Sequence, residues 1–435
     1  MLQEILDLVK KRCEQAEVYR IWQRDTPANF EANRLKLLET KEISGVALRL
    51  VKDGRIGFSA TNDLGDVRGL IDRALELAPF GAQAKFTLPS AERLPEVSVY
   101  DPATERVTVE EMVEIGQTMI DELRKANANL VCEAGVSVGT GVTEIANSNG
   151  GHASYRHSSY SLGLHGTLIR GTDMLFVGDW GASCRPDLDA KAITDRVKRQ
   201  LEMAMETVPA PIGDVPVVFT PRAVAGSVLS PLMSAVNGRT VLQGASPLQG
   251  KLGKNVLDER ISIWDDATVD MRPASRIVDD EGVPSRRITL FDHGVPTAFL
   301  YDLQTAGLAG TKTTGSASRG LGSLPSPSSS LLLMAPGKTP FDDIVAGVDD
   351  GVLVESLLGA GQGNVLGGDF GGNVLLGYRI QQGKITGRVK DTMINGNVYD
   401  ALNKLIALGD TAEWVGGSLS LPALCCRGVT VSAKS

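Results

Sequence analysis

The sequence predicts an α+β fold: an N-terminal α/β domain on a mainly antiparallel sheet, then a C-terminal, β-rich, barrel-like domain with few helices. Three observations carry that prediction. About fifteen short apolar runs are divided by Gly, Asp-Gly or Gln-Gly breaks, the pattern of strands joined by tight turns. Helical spacing returns in only a few segments, most with a recognisable cap or stop. Helices and strands do not alternate, which disfavours a doubly wound parallel sheet.

Taken in order, Leu2, Ile5, Leu6 and Val9 share one face of a first helix over about residues 1 to 14. Glu17 to Trp22 alternates as a strand, and Val46 to Val51 ends a second. Lys52-Asp53-Gly54 turns that run into Arg55 to Phe58. Val67, Leu70, Ile71, Ala74 and Leu77 form a helix that Pro79 stops. A proline-interrupted excursion over 80–106 leads to Thr108-Val109-Glu110-Glu111. There a hydroxyl and a carboxylate three residues on satisfy each other's helix-end amides. Met112, Ile115, Met119, Ile120 and Leu123 are its core stripe. Strands occupy about 130–185, and Ile193, Val197, Leu201 and Ala204 mark the last helix of this half.

Val208-Pro209-Ala210-Pro211-Ile212-Gly213 permits neither helix nor strand to continue, so the domains are drawn as 1–208 and 215–435. The second opens with a strand over Val215 to Phe219 and a helix started by Thr220 as N-cap and Pro221 at the first turn. Pro231 is expected to kink that helix. Short strands follow, including Leu375 to Ile380 and Ile385 to Val389. A helix over Val398 to Leu408 precedes a last strand near Val429.

The densest turn chemistry lies between Val278 and Arg319. Asp279-Asp280-Glu281-Gly282 sets three acids side by side, which reads as a surface loop. A hairpin about Asp292-His293-Gly294 comes next, then Thr311 to Arg319, whose hydroxyls, backbone donors and one guanidinium suit a peptide or an anion, although composition favours a solvated loop. Ser326-Pro327-Ser328-Ser329-Ser330 reads as a flexible linker.

At 435 residues the chain exceeds what one core supports. A net charge of -8 argues against a basic nucleic-acid groove, so no direct nucleic-acid contact is expected. No run approaches the roughly 18 apolar residues of a membrane span, and the first residues lack the basic-then-apolar order of a secretory signal. Five cysteines without CxxC spacing suit a reducing compartment, and a cytoplasmic location is expected.

The four histidines, His152, His157, His165 and His293, occupy no spacing that presents two ligands to one ion. There is no Gly-x-Ser-x-Gly elbow. The glycine clusters at 359–363 and 367–372 lack the Walker lysine and join no strand to a helix; close backbone packing or peptide contact at strand edges fits them better. Cys425-Cys426 reads as structural.

Together Asp279-Asp280-Glu281-Gly282-Val283-Pro284, the Gly294 hairpin, Thr314-Gly315, Gly361-Gln362-Gly363, Gly368-Asp369-Phe370, Gly377 to Gly383 and Asn395-Gly396-Asn397 carry a resemblance. Their order over 215–435 resembles the PmbA/TldE branch of the TldD/PmbA proteins, labelled modulators of DNA gyrase and linked to peptide maturation. The N-terminal half is compatible with it.

The resemblance implies one subunit of a two-part metalloprotease whose TldD-type partner carries HExxxH and a cysteine as zinc ligands. Here the equivalent helix, Thr220 to Leu229, has neither His nor Glu. Two imidazoles one turn apart and a general-base carboxylate are what hold and activate a zinc-bound water. No catalytic residue, no metal ligand and no cofactor are therefore expected in this chain, and zinc only in the partner. Expected partners are a TldD-type subunit and unfolded peptide, with a homodimer in isolation. Asp280, Glu281, Arg319, Gln362 and Asp369 are the candidate peptide or partner contacts. Ser316 stands where relatives of the branch place His or Asn, which sets that position apart. A non-proteolytic, homodimeric peptide-binding scaffold is the alternative reading.

Overall fold

A computed structural model describes residues 1–361 and 363–433. Its N-terminal half is a seven-stranded antiparallel sheet in the order β4-β3-β1-β5-β6-β7, with β2 paired to the far end of β1. The strands are β1 (Gln15–Glu31), β2 (Arg34–Leu38), β3 (Lys41–Lys52), β4 (Arg55–Thr61), β5 (Val131–Asn147), β6 (His152–Arg170) and β7 (Asp173–Ser183). Helices α1 (Leu2–Val9) and α2 (Val67–Leu77) cover one part of it, α3 (Val109–Ala126) and α4 (Ala190–Met203) another.

Local chemistry explains most of these boundaries. Thr108 and Glu111 exchange both bonds of a capping box at the head of α3, whose Met112, Met119, Ile120 and Leu123 are buried against the sheet. The first helix ends at Val9, short of the expected residue 14, as Gln15 begins pairing with Val51.

The C-terminal half is a 14-stranded sheet curled into a half-barrel, as its composition predicts. Its axis is the strand Val217–Phe219, which pairs in parallel with Asp350–Leu358 and antiparallel with Leu419–Cys426. The segment at the sequence-level boundary is not a free linker. Thr207–Val208 runs parallel to Lys384–Val389, and Gly213–Asp214 pairs with Val429–Ala433. Cys425 and Cys426 lie inside a strand facing opposite cores, and burial pushes both thiols up, Cys425 to about 12.

Three local expectations are corrected. The helix over 398–408 stops at Asn403, and Leu405–Val415 is a strand, because its residues complete a ladder on Leu419–Cys426. Apolar spacing alone does not separate those two outcomes. The Ser326 to Ser330 run is not a linker. Ser326–Pro327 pairs with Ala317–Ser318, and the Ser330 amide and hydroxyl both donate to the buried Asp265 carboxylate.

The third correction is the largest: the acidic turn at 279–281 is buried. Asp279 and Glu281 are 1% and 0% exposed. Asp279 accepts the backbone N–H groups of Glu281, Val283 and Ala317, which tie the turn to the next loop at 2.9, 2.9 and 3.0 Å. The far end of that loop is closed off as well, with Ser316, Ala317 and the Arg319 side chain buried, while Thr311 and Lys312 are exposed. Adjacent like charges repel in water, but here each acid is aimed at its own set of donors.

Candidate functional site

The helix that opens the C-terminal half is packed into the core of that half, and its Arg222 reaches β7. Thr220 caps it, its hydroxyl accepting the Ala223 N–H, and Pro221 occupies the first turn. Pro231 lacks an N–H and its ring crowds the carbonyl four residues back. The preceding turn, Val224–Val228, widens to π spacing before Leu229–Val236 resumes α geometry. The Ser227 hydroxyl, donating to the Ala223 carbonyl at 2.5 Å, fills the widened turn. Thr220→Ala is expected to cost about 1 kcal/mol, read as a lowered urea midpoint, since the lost cap orphans one helix-end amide.

Arg222, Ala225 and Gly226 of this helix border a cavity of about 460 Å³ that reaches His165, Trp180 and Glu355. A second cavity of about 520 Å³ adjoins it, sharing Gln200, Arg222 and Glu355 and bounded further out by Arg196 and Glu413. A chain of charge crosses the junction. Buried Asp179 is in direct contact with Arg222 and lies 3.3 Å from Arg196, which lies 3.2 Å from Glu413. Arg222 also donates to the Trp180 carbonyl of edge strand β7 at 3.0 Å, and Gln200 accepts the Gly178 N–H at 2.9 Å. Tyr378 donates to the Gln200 carbonyl at 3.1 Å and so steadies α4 here.

Burial is the main influence on the titrating groups of this cavity. It raises the Glu355 carboxyl, against the pull of the Thr220 hydroxyl and Arg222, and it lowers His165. It also lowers Arg222, which neighbouring Glu355 and Glu413 partly restore.

This donor set does not fit a zinc ion. The cavity-facing positions of the helix offer a guanidinium, two methyls and a hydrogen, and beyond Gly226 there is open space. A guanidinium has no lone pair to give and repels a cation. Among the described residues no group of three or more His, Cys, Asp or Glu is placed to hold a metal ion. The arrangement is suited instead to polar contact with a chain lying in the cavity.

The sequence-level candidates fall elsewhere. Asp280, Glu281 and Arg319 are brought together at the joint between the two halves. Arg49 of β3 donates to Glu281 at 2.5 Å and to Glu17 of β1 at 2.9 Å, while Arg319 lies 2.8 Å from Glu17. Asp280 accepts the Arg319 N–H at 2.8 Å and lies 3.5 Å from Arg276. The side chains of Glu281 and Arg319 are buried and meet β1 and β3. Asp369 lies on the C-terminal sheet, exposed, and accepts from the Asn397 amide at 2.9 Å. Gln362 lies outside the described residues.

Asp179, Arg196, Arg222, Glu355 and Glu413 were not among the candidates. A signal existed for two of them. Glu355 is an acid ending the apolar run Val352-Leu353-Val354, and Arg222 stands one residue after the helix-starting proline.

Comparison with known proteins places this architecture. The model of the PmbA/TldA metallopeptidase C-terminal domain matches residues 212–433, that of domain 1 residues 16–78, and that of the central domain residues 102–205. MJ0231 of Methanocaldococcus jannaschii is 25% identical over 99% of this chain and 100% of its own length. The metalloprotease PmbA homolog of Haemophilus influenzae is 24% identical over 82% of this chain and 79% of its own. Among solved structures, TldE from Thermococcus kodakarensis has the same fold, with a TM-score of 0.90 at 24% identity over 99% of both chains. With all three domain models present in order along it, the chain belongs to the PmbA/TldD metallopeptidase family.

Proposed function

We propose that this chain is a TldE/PmbA-type subunit of a two-part metalloprotease, silent by itself, which pairs with a zinc-bearing TldD-type subunit and helps hold unfolded peptide for cleavage or maturation. One observation carries the reading: a family-typical fold whose central helix turns Arg222, Ala225 and Gly226 toward the cavity in place of metal ligands. Zinc and the water it activates would belong to the partner. The role of this chain would be to bind: cavities of this size, walled by both signs of charge and bordered by the edge of β7, suit an extended backbone better than one charged side chain. In isolation a homodimer is expected, and a cytoplasmic location. No helix among the described residues is long and apolar enough to cross a membrane.

Co-expression with an HExxxH-bearing relative tests the proposal. The two chains are expected to co-purify and together cleave a fluorogenic, unstructured reporter peptide. Full activity of the relative without this chain would contradict the subunit role.

A further inference from the structure

The joint between the two halves holds more buried acid than its arginines neutralise. Glu17, Asp279, Glu281 and Asp302 are each at most 1% exposed, against Arg49 and Arg319 at 3% and 1%. At the rim, Arg276 and Asp280 balance one another at 3.5 Å. Two of the four buried acids are met by neutral donors. Asp279 takes its three backbone N–H groups, and Asp302, capping the helix Leu303–Ala309, takes the Thr305 N–H and hydroxyl, both at 2.6 Å. Glu17 has both arginines beside it. Glu281 has only a share of Arg49 and, on its other oxygen, the Leu303 N–H at 2.7 Å. Each oxygen of Glu281 thus has one donor and a lone pair to spare. Phe86 stacks over Arg49 and Tyr19 over Arg319, and both guanidinium side chains are buried, so solvent does little to offset the excess negative charge.

We propose that Glu281 takes up a proton from solvent as the turn at 279–282 closes on β1 and β3, making the joint a pH-sensitive latch between the two halves. Burial, reinforced by Asp279, Asp302 and Glu17 and opposed by Arg49, raises the Glu281 carboxyl from 4.5 to about 8, and burial raises Asp279 to about 6. The sign follows from the raised value. An acid that binds its proton more tightly when the joint is closed contributes most below its open-state value near 4.5 and loses that contribution as pH rises toward and past about 8. The latch therefore loosens in alkaline solution.

Infrared spectroscopy on the full chain tests this. The wild type is expected to show a protonated-carboxyl band at neutral pH that titrates away toward about pH 9, and Glu281→Gln is expected to lack it. The urea midpoint should fall between about pH 5 and about pH 8 in the wild type and level off above that, and it should lack this fall in Glu281→Gln. An unchanged band in Glu281→Gln, or parallel pH profiles, would overturn the proposal. Should Glu281→Gln fail to fold, Glu17→Gln gives a second reading. It leaves Arg49 wholly to Glu281 and should move the band's titration down by about one pH unit or more. No movement would refute the latch.

Discussion

Replacing Arg49 by methionine is expected to destabilise the chain by about 3–5 kcal/mol, the range for removing one partner of a buried ion network. The guanidinium serves Glu17 and Glu281 at once, and both are fully buried. Without it, the Glu17 carboxylate is left to Arg319 alone and Glu281 keeps only the Leu303 N–H. Urea unfolding followed by tryptophan fluorescence checks this. The double variant Arg49→Met with Glu281→Met should recover part of the loss, since it removes the buried acid left without its donor as well as that donor. A loss below about 1 kcal/mol for Arg49→Met would mean that water reaches the network.

Phe370→Ala is expected to cost a similar amount, about 3–5 kcal/mol, through the cavity it leaves. Phe370 is 2% exposed and meets Phe219 edge to face at 6.0 Å, directly before the helix that opens at Thr220. The partner across the ladder is Gly396, whose missing side chain makes room for the ring: a Cβ there would lie 3.0 Å from it. The substitution should therefore act at a distance as well. Partner-dependent peptide cleavage is expected to fall more than the small loss of folded protein explains, because Arg222 would no longer be held against Asp179 and Trp180.

Elements whose ends are written in local chemistry were legible in the sequence. The capping box at Thr108, the proline-started helix at Thr220 and the turn at Lys52-Asp53-Gly54 all stand as read. What stayed hidden depends on residues far apart in the chain. Asp279 to Glu281 reads as surface until Arg49, some 230 positions earlier, is placed beside it. Leu405 to Leu408 reads as helix until Leu424 to Cys426 supplies a ladder. The cavity about Arg222 was partly legible. The absence of His and Glu from its helix is plain in the letters. The assembly of Asp179, Arg196, Glu355 and Glu413 around it needs β7, α4 and two C-terminal strands to converge, and no spacing rule encodes that.

The central claim is that the helix over 221–236 grips no catalytic ion. Zinc analysis of the purified full chain, expressed without any HExxxH relative and dialysed against buffered zinc, tests it most directly. Well below one zinc per chain, with no cleavage of the reporter peptide, is the predicted result. One tightly held zinc per chain together with hydrolysis would contradict it.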